Sequence, residues 1–179
     1  MIGKLKRFYE LKIRKKSVYD LNIQRLKREG MTIGKQTQIY AVPFALEPYL
    51  VKVGEKCTIA ADVICMTHDN SIIHHFPNKT DMFGKIVIGD NCFVGARSIL
   101  MAGITIGSNS IVAAGSVVTK SVPENVVVGG NPAKIIETIE EYKTKTAKYA
   151  VNRAETIENP MKYFKQHDDK LVKKTNLTK

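Results

Sequence analysis

From Ile88 to Val118 an aliphatic residue stands at every sixth position: Ile88, Val94, Leu100, Ile106, Val112 and Val118. No ordinary element has that period, because an amphipathic helix repeats at 3.6 residues and a half-buried strand at 2. A strict six describes a chain that turns a corner after every short flat stretch. Three such stretches close one turn of about eighteen residues, and turns stacked at roughly 4.8 Å satisfy one another's backbone groups. The expected fold is an all-β solenoid, a hexapeptide-repeat parallel β-helix whose core is a column.

The register extends upstream through Ile33 and Ile39, then Val53, Ile59 and Cys65. It is broken twice. Between residues 40 and 51, Pro43, Glu47, Pro48 and Tyr49 disturb it, and residues 70–85 abandon it. Glycine often follows the aliphatic position (Gly34, Gly54, Gly89, Gly95, Gly107), with Asp90-Asn91 or Ser108-Asn109 behind it. Those residue types are expected to take the left-handed backbone of a sharp corner. Four positions after each aliphatic come Cys92, Ser98, Ile104, Ser110, Ser116 and Val122, mostly small side chains that would fill a narrow interior.

The chain of 179 residues is read as one solenoid domain (31–136) between a basic amphipathic helical extension (1–30) and a C-terminal helix with a mobile Lys-rich tail (137–179). No run of about eighteen apolar residues offers a membrane span, and the first residues lack the apolar stretch of a signal peptide, so a cytoplasmic location is expected. Cys57, Cys65 and Cys92 fall on interior positions with no C-x-x-C spacing, which reads as core filler and not as a metal or disulfide set.

The net charge of +11 would suit nucleic acid only if it lay on the core. It lies in the tails. Residues 1–30 carry ten Lys or Arg against three Asp or Glu, residues 31–136 eight against seven, and residues 137–179 ten against seven. No nucleic-acid partner is expected. The apolar stripe of the extension (Leu5, Phe8, Leu11, Val18, Leu21, Ile23, Leu26) has two readings. It covers the open end of the coil, whose strand edges would otherwise be unpaired, or it lies on anionic lipid at the inner face of the membrane.

Residues 106–136, IGSNSIVAAGSVVTKSVPENVVVGGNPAKII, closely resemble the end of the left-handed β-helix of the hexapeptide-repeat acyltransferases. The likeness is to the branch of maltose, galactoside, nodulation and bacterial polysaccharide O-acetyltransferases. The segment EPYLVKVGEKCTIAADVICMTHDNS at 47–71 is similar to the polysaccharide subgroup. The resemblance spans about residues 31–136. It implies a left hand for the coil, which the spacing alone does not fix. It also implies acetyl-coenzyme A as acyl donor, without a metal, and homotrimers whose sites lie between neighbouring coils.

His68 matches the catalytic histidine of that family. The chemistry asks for one, since an alcohol attacks a thioester only as a base of near-neutral pKa removes its proton. Its place where the repeat breaks also favours a site residue. His74 and His75, inside the interruption, are read as acceptor-contacting or simply exposed. Glu47, about one coil earlier, either fixes the imidazole tautomer or caps a turn at Pro48, while Asp69 would point away. The resemblance places the Ala96 N–H near the thioester oxygen; relatives that act on sugars often have serine there. It places Ala114, Thr119 and Lys120 along the pantetheine arm and nucleotide, and Lys134 near the coenzyme phosphates.

The function so implied is transfer of acetyl from acetyl-coenzyme A directly to a sugar hydroxyl, in saccharide or surface-polysaccharide modification, with His68 as general base. The alternatives are N-acetylation of an amino sugar or small xenobiotic and, from a different class, a non-enzymatic membrane-surface binding module. A zinc enzyme on the same scaffold would need three correctly disposed ligands, for which His68 and His74-His75 have the wrong spacing.

Overall fold

The computed structural model describes residues 17–42, 44–156 and 159–172, which form two compact units divided after Ile139. In the first unit the chain visits three sheets in rotation. The first holds Thr32–Ile33, Val51–Val53, Ile86–Ile88 and Thr105–Ile106, and the second holds Gln38–Ile39, Thr58–Ile59, Phe93–Val94, Ile111–Val112 and Val126–Gly130. The third holds Ile64–Cys65, Ile99–Leu100 and Val117–Val118. All of these strands pair in parallel, and Ala133–Thr138 returns antiparallel on Val126–Gly130. Visiting three parallel sheets in turn makes a three-sided coil.

The six-residue period marks the interior. Ile88, Val94, Leu100, Ile106, Val112 and Val118 are all buried, as are Ile33, Ile39, Val53, Ile59 and Cys65 upstream. The small row beside them is buried too, from Cys92 and Ser98 to Ser116 and Val122. Its polar members bond to backbone carbonyls: Ser98 Oγ donates to Gly95 O at 2.8 Å and Ser116 Oγ to Ala113 O at 2.6 Å. The Cys57 and Cys92 thiols do likewise, to Gly89 O at 3.0 Å and Gly107 O at 3.2 Å. Burial pushes the Cys65 thiol far above the usual range, so it serves as packing and not as a nucleophile.

The corners correct one expectation. Gly34, Gly54, Gly89, Gly95 and Gly107 do not adopt left-handed backbone; the residue two positions later does so in every case, at Gln36, Lys56, Asn91, Arg97 and Asn109, with φ of 54–60°. Asn91, Asn109 and Asn125 continue one such corner, their side-chain amides linked at 3.2 Å from coil to coil. These glycines answer to a different constraint. A Cβ on Gly34 would lie 2.5 Å from Glu55 N, and one on Gly89 2.7 Å from Ser108 N, so neighbouring coils approach too closely for any side chain.

Both interruptions keep the coil intact. In the first, Phe44 fills the interior in place of an aliphatic and Ala45 bridges Cys65, completing the third side of the opening coil. In the second, His68–Asp69 pairs antiparallel with Met82–Phe83, and the Gly84 N–H donates to Thr67 O at 2.9 Å. The chain leaves the coil at Thr67 and resumes it at Ile86, where Val53 pairs with Ile88 across the excursion.

The helix Val18–Arg28 starts with a capping box, in which Ser17 and Asp20 bond each other's backbone N–H at 2.9 and 3.1 Å. Leu26 is buried, Ile23 packs on the core, and Asn22 Nδ2 donates to Ala41 O at 3.0 Å. This stretch of the extension lies on the first coil; Leu5, Phe8 and Leu11 lie outside the described residues. The helix Ile139–Thr146, which follows the returning strand, leads into the second unit and is continued by the 3-10 turn Ala147–Tyr149. Past Ala150, where a mobile tail is expected, stand the helices Arg153–Thr156 and Pro160–Gln166. The latter is capped by the Asn159 side chain accepting from Lys162 N at 2.9 Å. That signal, Asn before Pro at the first helical position, is legible in the sequence. Residues 173–179 lie outside the described residues. Among the described residues no helix is long and apolar enough to cross a membrane.

Candidate active site

The two interruptions meet. Glu47 precedes the short 3-10 turn Pro48–Leu50, and His68 opens the strand pair that leaves the coil. The His68 Nδ1 lies 3.0 Å from both Glu47 carboxylate oxygens. Glu47 also serves the turn, through its backbone carbonyl, which accepts from Leu50 N at 3.0 Å. The two roles offered for Glu47 are thus divided between its side chain and its main chain. Asp69 points elsewhere, its Oδ1 accepting from Ser71 N at 2.8 Å.

A third residue, which the sequence does not signal, completes the group: buried Thr67 donates its hydroxyl to Glu47 Oε2. Hydrogen bonding from Thr67, then from His68, holds the Glu47 carboxyl below its ordinary value. The Glu47 hydrogen bond holds His68 above its ordinary value, against desolvation and with help from Asp81 and Asp69. An ionised carboxylate can only accept, so the 3.0 Å contact assigns the proton of neutral His68 to Nδ1. The Nε2 lone pair is left for chemistry. Phe83 flanks the imidazole, ring centres 5.7 Å apart, and is itself largely exposed.

His74 and His75 are exposed in the excursion, and among the described residues no three His, Cys, Asp or Glu stand together as a metal group. Ala96 and Ala114 sit on the corners that lead into the third sheet, stacked in consecutive coils with Ala96 O accepting from Gly115 N at 2.8 Å. The Ala96 N–H meets no backbone acceptor among the described residues. Thr119 and Lys120 are exposed just past Val117–Val118, at the edge of the third sheet from which His68 leaves the coil two coils earlier. Lys134 is exposed in the returning strand, opposite Gly129. Within one chain, then, His68 and Glu47 come together, while Ala96 and Ala114 lie across the third sheet from them.

Residues 85–120 match the family described as the hexapeptide repeat of succinyl-transferase. Protein CapG of Staphylococcus aureus is 42% identical over 141 residues, which is 75% of this chain and 80% of CapG. A maltose O-acetyltransferase structure from Clostridium difficile 630 aligns with a TM-score of 0.54 at 26% identity, covering 76% of this chain and 83% of that one. A hexapeptide-repeat acetyltransferase of Vibrio cholerae O1 biovar eltor, complexed with acetyl-coenzyme A, shares the fold with a TM-score of 0.57 at 24% identity. That alignment covers 76% of this chain and 84% of the other.

Proposed function

The chain belongs to the hexapeptide-repeat acyltransferase family, and we propose that it transfers acetyl from acetyl-coenzyme A to a sugar hydroxyl on a left-handed β-helix, with His68 as general base. The observation that carries the reading is the imidazole held by Glu47 through Nδ1 at 3.0 Å, with Nε2 open, at the point where the chain leaves its coil. Nε2 takes the acceptor's hydroxyl proton as that oxygen bonds to the thioester carbon. The carbonyl electrons move to oxygen, where the Ala96 main-chain N–H donates. Collapse breaks the C–S bond, and the proton on Nε2 passes to the departing thiolate. Glu47 stabilises the transient imidazolium and keeps the tautomer fixed.

The same reading includes a homotrimer. The outward residues of the third sheet, Ile64, Ile99 and Val117, are all aliphatic, whereas the first sheet presents Thr32, Lys52, Val87 and Thr105 outward and the second mixes Gln38 and Thr58 with Phe93 and Ile111. His68 flanks the apolar sheet on one edge and Ala96 on the other. A second copy against that sheet sets the base of one chain facing the oxyanion donor of the next. Thr119, Lys120 and Lys134 then line the coenzyme's path with two cations for its phosphates.

Incubation with acetyl-coenzyme A and matched hydroxy and amino saccharides, followed by thiol release and identification of the product, tests the reading. Release should depend on a sugar hydroxyl and yield an O-acetyl ester. Release with amino acceptors alone would replace it by N-acetylation, and no release with any saccharide would remove the acceptor class.

A further inference from the structure

We infer that Thr67 is a positioning residue, whose hydroxyl fixes the Glu47 carboxylate in the orientation that engages His68. The inference rests on the reading of His68 as base and deepens it. Glu47 comes from an irregular segment outside the strand ladders, so its backbone is tied only locally, through the turn to Leu50. Its carboxylate is partly open to water, and its side-chain partners are Thr67 and His68.

His68 is the less fixed of the two partners, because its imidazole is partly exposed and stands on the strand pair that leaves the coil. Thr67 is placed differently. It is 1% exposed and sits at the last residue before the excursion, and its carbonyl accepts from Gly84 N where the chain returns. It is pinned from both sides of the loop. Its β-branched side chain has few rotamers, and its hydroxyl has a carboxylate oxygen as acceptor. A charge-assisted bond of that kind from a fixed buried donor orients an acid that the backbone leaves loose.

The charged groups facing His68 are Glu47, Asp81 and Asp69, all acidic. Only Glu47 bonds to the ring, while Asp69 is engaged by Ser71 N. Releasing Glu47 therefore removes the specific contribution and leaves the diffuse ones.

The test follows the His68 ring carbon and proton signals through a pH titration of the full-length protein, assigned by comparison with His68→Gln. In Thr67→Val, nearly isosteric but without the hydroxyl, the His68 pKa should fall toward the ordinary value near 6.5. Thr67→Ser should restore the titration. The kcat should fall about tenfold in the valine variant, with the KM for acetyl-coenzyme A unchanged. In a Glu47→Gln background the same change should do nothing further to the titration, since the orienting bond then has no carboxylate to fix. Thr67→Ala takes its place if the valine variant does not fold. A Thr67 variant with the wild-type titration and kcat would overturn the inference. If His68→Ala keeps the wild-type rate, the base reading fails instead, and the titration, which needs no turnover, still decides whether Thr67 holds Glu47.

Discussion

Between residues 86 and 118 every sixth side chain is buried and each coil repeats the last, whereas between residues 71 and 81 no residue is buried at all. The first region has nothing left over. Its interior side chains are packed, its buried serines and Cys92 bond to carbonyls, and Gly89, Gly95 and Gly107 are hemmed in by the next coil. The second contributes almost nothing to the core, yet its base holds Thr67 and His68, with Glu47 supplied by the earlier irregularity. A repeating coil constrains every residue in the same way at every turn. A unique constellation of acid, imidazole and hydroxyl can be built only where the repetition stops.

That contrast can be broken in order of expected effect. Leu100→Ala, in the fully buried row, should cost about 2–5 kcal/mol in denaturant unfolding, the range for a large core truncation. A loss below about 1 kcal/mol would mean the column is not close-packed there. Gly95→Ala forces a Cβ against the Ala114 and Ala113 backbone and should cost about 1–3 kcal/mol as an overpacked contact. Replacing residues 72–78 with three glycines should leave stability within about 0.5 kcal/mol, while the choice among saccharide acceptors widens or is lost. Large destabilisation instead would show that the excursion belongs to the fold.

The smallest effect is a matter of pH. Because Glu47 raises the His68 pKa, the imidazole stays protonated up to a higher pH than a free histidine, and with His68 as the proposed base kcat/KM should rise with pH through a limb above about 6.5. In Glu47→Gln that limb should move toward lower pH. The sign for stability is opposite to that for rate. The contact between protonated His68 and Glu47 contributes fully below the unfolded histidine pKa, and the contribution fades as pH rises through the raised folded value. Alkaline-side unfolding should therefore show a slightly reduced stability that Glu47→Gln lacks.

The coil was legible because its geometry imposes the same demand many times, so even Phe44 and Cys65, which are not aliphatic, stand on interior positions. The corner residues were less so. Left-handed backbone occurs at Gln36, Lys56 and Arg97, whose side chains carry no turn signal, because the stacked coils impose the conformation. His68 could be found from the break in the period, and Glu47 from its distance of about one coil. Thr67 could not, since a threonine beside a histidine is unremarkable until burial and a donor geometry are known. The separation of Ala96 from His68 across the third sheet was also hidden, because spacing along one chain does not say which edges a second copy would join.

His68→Gln separates support by the coil from catalysis at its break. The rate of coenzyme A release with a saccharide acceptor and the melting temperature should be measured on the same preparation. The kcat should fall by about 10²–10⁴, the usual worth of a positioned general base, with the melting temperature unchanged. A variant that turns over at the wild-type rate would contradict that role.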